Sequence, residues 1–142
     1  MNIFVLGNPD LREDSLPIRI FPAIREYFPN FNFEYKDPNE EWSIPESKEI
    51  VVMDTVLGID NVVLYNNLES FAPSSRITMH DFDALANLKL LQKLGKIKSV
   101  KIIGIPQALS EKKAIQQVAA IISANLFSKN ALRSSYKDHT PE

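Results

Sequence analysis

The sequence predicts an α/β domain with a mostly parallel sheet. Three continuous apolar runs, at residues 2–6, 50–53 and 99–105, are typical of strands that are buried on both faces. Segments with apolar residues at helical spacing lie between and after these runs. Buried strands that alternate with amphipathic helices indicate a parallel sheet covered by helices.

The first helix is predicted to begin near Ser15 and to end at Pro29. Ser15 is a suitable N-cap, and Pro17 suits the first turn, where its missing N–H is not needed. Five apolar residues then recur at helical spacing, namely Ile18, Phe21, Ile24, Tyr27 and Phe28. A loop over residues 7–14 connects the first strand to this helix.

Two further strands are predicted at residues 31–36 and 61–65. In the first of them aromatic residues alternate with polar ones, which favours a half-buried strand near a sheet edge. The second follows the run at 50–53 too closely for a helical crossover, so we expect it to run antiparallel. The polar segments 37–48 and 66–76 are predicted to be loops.

Two helices complete the predicted order, β-α-β-β-β-α-β-α. Residues 82–94 form the first, because leucines recur every three residues and Gly95 stands at the position of a C′ glycine. Ser110 can cap the last helix, whose apolar residues again have helical spacing. We expect a single domain over residues 1–128 and a polar, flexible tail over 129–142.

Composition excludes several classes of function. The net charge of −2, with 44% hydrophobic and 24% charged residues among 142, is typical of a globular protein and offers no basic surface for nucleic acid. No apolar run reaches the ~18–20 residues of a membrane span, and no signal peptide is recognisable, so we expect a cytoplasmic protein. We also expect a monomer. The absence of cysteine excludes disulfides and cysteine nucleophiles. Neither a phosphate-binding glycine motif nor a Gly-x-Ser-x-Gly elbow occurs.

Candidate site residues lie in loops at one edge of the predicted sheet. In open α/β sheets ligands bind beyond the carboxyl ends of the strands. The loop after the first strand holds Asp10, Glu13 and Asp14, Asp54 directly ends the second buried run, and His80 lies just before a helix. Each has a structural interpretation too: a turn cap for Asp54, a helix-dipole partner for the acids, and a local hydrogen-bond partner for the histidine.

Oxygen and nitrogen ligands suit nickel or zinc, so two carboxylates and one imidazole on one rim could hold a divalent transition metal. Asp14, Asp54 and His80 are the candidate ligands. They are far apart in the sequence, so only the fold can bring them together.

Four motifs occur in a recognisable order. Residues 3–8 end in Gly-Asn and are followed by a leucine and two adjacent acids within residues 11–14. Residues 50–56 are an apolar strand with Asp-Thr-Val, and residues 78–80 end in a histidine before a leucine-rich helix. Residues 100–106 are a late strand with a glycine and a final proline. In this order the motifs resemble those of the hydrogenase maturation endopeptidases.

The resemblance implies a three-layer α/β/α fold, phosphorylase/hydrolase-like, with a five-stranded mixed and mostly parallel sheet. It implies a metal-recognising endopeptidase that removes the C-terminal extension of a nickel–iron hydrogenase large-subunit precursor, its partner. By position, Asp14, Asp54 and His80 would bind a divalent metal, which is nickel carried by the substrate or another divalent ion in its place. Asp14 and Asp54 would be the catalytic carboxylates.

The chain departs from this family pattern in two segments. Residues 15–17 follow the acid pair where glycines are usual, and residues 37–42 replace a glycine-rich segment that normally lines the substrate cleft. The substrate-binding residues are therefore not predicted. Two alternatives stay open: a catalytically inactive relative that binds a metal-loaded partner as a maturation checkpoint, and an unrelated flavodoxin-like binding domain whose strand-end acids are structural.

Overall fold

The computed structural model describes residues 1–37, 40, 42–71 and 79–126, and over residues 71 and 79–85 it describes the backbone alone. Five strands form one sheet, namely β1 (Asn2–Val5), β2 (Asn32–Tyr35), β3 (Glu49–Val56), β4 (Val63–Tyr65) and β5 (Ser99–Pro106). The helices are α1 (Leu16–Tyr27), α2 (Leu68–Phe71), α3 (Met79–Lys93) and α4 (Glu111–Asn125). The predicted tail at 129–142 lies outside the described residues.

The strand order is β2-β1-β3-β5-β4. β1 pairs in parallel with β2 and β3, β3 pairs in parallel with β5, and β4 pairs antiparallel with β5. The predicted mixed, mostly parallel sheet is thus confirmed, together with the edge position of β2 and the antiparallel direction of β4.

Side chains that alternate along the strands separate two buried clusters. The face covered by α1 and α4 carries Ile3, Val5, Val51, Met53, Ile103 and Ile105. The opposite face carries Phe4, Leu6, Ile50, Val52, Val56, Val100 and Ile102 and packs against Leu68 of α2 and Leu88 of α3. Helices therefore cover both faces of the sheet, as the three-layer prediction requires.

The connection from β2 to β3 contains no helix among its described residues, and Trp42 covers that part of the sheet. Its side chain is 8% exposed and its ring meets Phe4 edge-on, with 5.4 Å between the ring centroids. The indole N–H donates to the Asp37 carbonyl at 3.1 Å. This predicted polar loop thus supplies a core residue, because the indole satisfies its one donor locally while its ring is buried.

α1 and α4 begin and end close to the predicted positions, but the start of α1 is not capped as predicted. Ser15 stands at the N-cap, but its hydroxyl caps no amide: it donates to the Arg12 carbonyl and accepts from Arg19 Nε, each at 3.0 Å. Pro22 lies inside the helix, where it has no N–H to donate to the carbonyl one turn earlier. By contrast, Ser110 caps α4 as predicted, since its hydroxyl accepts from the Lys113 amide at 3.2 Å.

The second half of the chain shows two more differences. The segment predicted as a loop at 66–76 contains the short helix α2, which Leu68, only 1% exposed, anchors to the sheet. α3 begins at Met79, earlier than predicted, and ends at Lys93, with Gly95 just beyond its end as expected. The Gly95 amide donates to the Gln92 carbonyl and the Lys96 amide to the Leu91 carbonyl. None of the helices in the described part of the chain is long and apolar enough to cross a membrane.

Candidate functional site

Asp14 returns to the end of β1 because the loop that precedes it folds back on itself. The Asn8 amide donates to the Asp14 carbonyl at 2.8 Å, and the Asp14 amide donates to the Leu11 carbonyl at 3.0 Å. The Asn8 side chain closes the turn by accepting from the Asp10 amide at 2.9 Å. Asp14 ends a short 3-10 turn, Arg12–Asp14, and is 1% exposed.

Gly7 makes this return possible. Its φ of 148° lies in the region that favours glycine, and a Cβ at this position would stand 2.6 Å from the Asp14 carbonyl oxygen. The Gly-Asn pair after the first strand is therefore explained by backbone geometry, with glycine allowing the close approach and Asn8 forming the turn.

Asp54 lies within β3 and does not end it, contrary to the sequence-based expectation. β3 continues to Val56 because its pairing with β5 extends from Glu49 opposite Ser99 to Val56 opposite Pro106. The Asp54 side chain is 4% exposed, and its Oδ1 accepts from the Thr55 amide at 2.8 Å. Alternation along the strand puts Asp54 on the same face as Val52 and Val56.

Both aspartates belong to the carboxyl edge of adjacent strands. β1 stays beside β3 as far as Leu6, whose amide donates to the Met53 carbonyl at 2.9 Å, and then leaves the sheet next to Asp54. The chain passes from β1 to β2 on one side, whereas β3 is followed by strands on the other side. Open α/β sheets bind ligands at this point of reversal in strand order. Carboxylates as buried as those of Asp14 and Asp54 are uncommon in proteins.

The backbone of His80 lies in the first turn of α3 and not before the helix, which corrects the predicted boundary. Its side chain lies outside the described residues, so its place in the metal site stays a prediction. Among the described residues no group of three or more histidines, cysteines and acids could hold a metal ion. Asp14 and Asp54 offer carboxylate oxygens, which suit a divalent ion, and the third predicted ligand is His80.

Tyr35 is a rim residue that the sequence did not indicate. It pairs with Val5 in register, and its hydroxyl lies 3.5 Å from the Gly7 carbonyl oxygen. Burial raises the pKa of the Tyr35 phenol. Four carboxylates raise the Tyr35 pKa further, in decreasing order of effect: Asp37, Glu40, Asp10 and Asp14. Several carboxylates therefore lie near the Tyr35 phenol, at the edge beyond β1 and β2.

A cavity of about 710 Å³, open to solvent, lies beside the Arg12–Asp14 turn. The residues that line it come from this turn, from α1 and from the loop between β5 and α4, and include Arg12, Glu13, Arg19, Gln107, Ser110 and Glu111. Arg19 forms an ion pair with Glu111 at 2.6 Å, which links α1 to α4. No local sequence motif predicts this cavity, because the segments that line it are far apart in the sequence.

Comparisons with known proteins agree with the observed fold. No protein-family model and no curated protein matches the sequence. Among solved structures, the hydrogenase maturating endopeptidase HybD from E. coli is similar at a TM-score of 0.56 and 19% identity, over 88% of this chain and 94% of that chain. An uncharacterized protein from Wolinella succinogenes is similar at a TM-score of 0.50 and 16% identity, over 87% and 94% of the respective chains. The chain therefore has the fold of a hydrogenase maturation endopeptidase, as the order of its sequence motifs predicts.

Proposed function

We propose that the protein is an endopeptidase that removes the C-terminal extension of a nickel–iron hydrogenase large-subunit precursor in the cytoplasm. The observation that carries this proposal is the pair Asp14 and Asp54. Both carboxylates are at most 4% exposed and belong to the carboxyl edge of β1 and β3. The fold around them is similar to that of HybD, which is described as a hydrogenase maturating endopeptidase.

The chemistry of the chain restricts how a peptide bond is broken. The sequence has no cysteine, so no thiolate attacks the scissile carbonyl. A carboxylate is a suitable general base, which takes a proton from the attacking water. We assign this role to Asp54, whose Oδ1 is oriented by the Thr55 amide. Nickel carried by the precursor is part of the substrate, and when bound it would polarise the scissile carbonyl or the attacking water.

Recognition of that nickel is assigned to Asp14, Asp54 and His80. Carboxylate and imidazole ligands fit nickel, and other divalent ions can substitute for it. α3 ends beside the residue that precedes β3, since Lys48 Nζ donates to the Gly95 carbonyl at 3.4 Å. The helix spans about 20 Å from its first turn to its end, which is enough for its backbone at His80 to return toward the carboxyl edge.

The test is the mass of a nickel-loaded precursor incubated with the protein. An active endopeptidase shortens it. Asp54→Asn keeps the shape but removes the charge, so the cleavage rate should fall by at least ~100-fold, the size expected for loss of a general base. Asp60→Asn makes the same change at an exposed position after β3 and should cleave at the wild-type rate. Wild-type cleavage by Asp54→Asn would disprove the assigned mechanism.

The checkpoint alternative is favoured by one observation. Trp42 is buried against Phe4 close to where the family resemblance places a glycine-rich, cleft-lining segment. A checkpoint protein would bind the loaded precursor and leave its mass unchanged. In either case His80→Ala should weaken binding of the nickel-loaded precursor more than binding of the metal-free one.

A further inference from the structure

We infer that the cavity beside the Arg12–Asp14 turn binds the segment of the substrate polypeptide next to the scissile bond, and that Arg12 recognises one acidic side chain of that segment. The inference rests on the proposed function and adds a substrate-binding surface to it. Neither the sequence motifs nor the fold comparison assigns a residue to substrate binding.

The position of the cavity fits this role. Its walls are the loops that follow β1 and β5, the strands that flank β3 on either side. Arg12 and Glu13 line it, and the next residue in the same turn is Asp14 of the candidate site. A volume of about 710 Å³ lies within the range of ligand sites, roughly 300–1,000 Å³. Asp54 lies on the opposite face of the sheet from α1 and α4. A polypeptide whose scissile bond lies at the two aspartates therefore extends into the cavity by crossing the carboxyl edge of the sheet.

The charged side chains that line the cavity indicate the charge of the ligand that it binds. Arg19 is occupied, because it pairs with Glu111 at 2.6 Å and donates to the Ser15 hydroxyl at 3.0 Å. The Arg12 guanidinium makes no hydrogen bond or ion pair within the described residues. It is therefore the cation that a ligand can engage, and a guanidinium binds a carboxylate with two parallel hydrogen bonds.

Two further charges, those of the α4 amino end and of Glu13, favour a ligand with a single carboxylate. The amino end of α4, at Ser110 and Glu111, contributes partial positive charge to the same cavity. Glu13 also lines the cavity, and its negative charge disfavours a highly charged anion such as a phosphate. A single carboxylate on a polypeptide satisfies Arg12 without strong repulsion from Glu13.

The candidate site next to the cavity has the opposite charge, because Asp14 and Asp54 supply two carboxylates. A substrate with a cationic metal centre and an acidic segment beside it is therefore bound in one orientation, with the metal at Asp14 and Asp54 and the acidic segment at Arg12.

The experiment compares Arg12→Ala with Lys112→Ala, which removes the same charge from an exposed position in the first turn of α4. Precursor cleavage gives kcat and KM in the wild-type background, and the Kd of the precursor is measured in the Asp54→Asn background. Arg12→Ala should raise KM and Kd by roughly tenfold, the lower end for a charge-assisted hydrogen bond, with kcat within about twofold. Lys112→Ala should change none of these.

Neutralising the acidic residues of the precursor near its cleavage site, one at a time, identifies the partner. One such change should raise KM as Arg12→Ala does, and combining the two should add nothing further. Equal effects of Arg12→Ala and Lys112→Ala, or no coupled acidic residue, would overturn the cavity assignment while cleavage continues. A wild-type protein that neither binds nor shortens the precursor would instead overturn the proposed function, and the cavity assignment with it.

Discussion

The backbone oxygen of Asp14 lies 2.6 Å from the point where a Cβ on Gly7 would stand. This contact ties the first strand of the sheet to a residue of the candidate site. The Asn8 amide, which donates to the same oxygen at 2.8 Å, holds it there. Any side chain at position 7 must displace the loop that carries Asp14.

Gly7→Ala should therefore destabilise the fold by roughly 2–4 kcal/mol, because backbone strain and a backbone clash add. Gly58→Ala is the matched control: Gly58 also has a positive φ, 84°, but nothing lies within 4 Å of its Cβ position. It should cost only about 1 kcal/mol. Urea denaturation of both variants gives the comparison, and equal losses of stability would show that the contact with Asp14 is unimportant.

Asp14→Asn should reduce precursor cleavage by at least ~100-fold, since it removes one of the two buried carboxylates to which the proposed site is assigned. Its circular dichroism spectrum should match that of the wild type, because asparagine has the shape of aspartate and the substitution keeps the backbone hydrogen bonds of the Asp14 carbonyl and amide. Single-turnover assays with nickel-loaded precursor measure the effect, with Asp60→Asn again as the control. Full activity of a folded Asp14→Asn protein would remove Asp14 from the site.

Thr55→Val should stabilise the protein by about 1 kcal/mol. Thr55 is 0% exposed, and its hydroxyl has no hydrogen-bond partner within the described residues. A buried hydroxyl without a partner is costly, and valine has the same shape without this cost. Thermal unfolding should show a higher Tm for Thr55→Val and a lower one for Thr55→Ser, which keeps the hydroxyl but loses a buried methyl group. A lower Tm for the valine variant would reveal a partner such as a buried water.

The Tyr35 phenol should ionise above the usual tyrosine pKa of about 10. Because its folded pKa is raised, its contribution to stability is fully present below the unfolded pKa and is lost as pH rises through the folded pKa. The difference in absorbance between wild type and Tyr35→Phe during an alkaline titration isolates this group. Asp37→Asn should lower the Tyr35 pKa, since Asp37 is the largest charge acting on it; an unchanged titration would place Asp37 away from the phenol.

The sequence predicted elements whose signals are local. Ser110 caps α4, and Gly95 ends α3, because each signal concerns only the hydrogen bonds of one helix terminus. Ser15 shows the limit of such a signal. It stands at the N-cap of α1, but its hydroxyl accepts from Arg19 and donates to Arg12 instead. Arg19, one turn further along the helix, competes for the Ser15 hydroxyl. The spacing of residues in the sequence does not reveal this competition.

By itself, then, the sequence determined the mixed α/β sheet, the edge strand β2 and the candidacy of Asp14 and Asp54, because periodicity and strand-end chemistry depend on neighbours in the chain. Only the tertiary structure decided that β3 continues past Asp54, that Trp42 covers the sheet and that Tyr35 stands near several carboxylates. The tertiary structure alone likewise creates the cavity between Arg12 and the start of α4. These features arise where distant segments meet, so strand order and register create them, and neither is encoded in the pattern of a single segment.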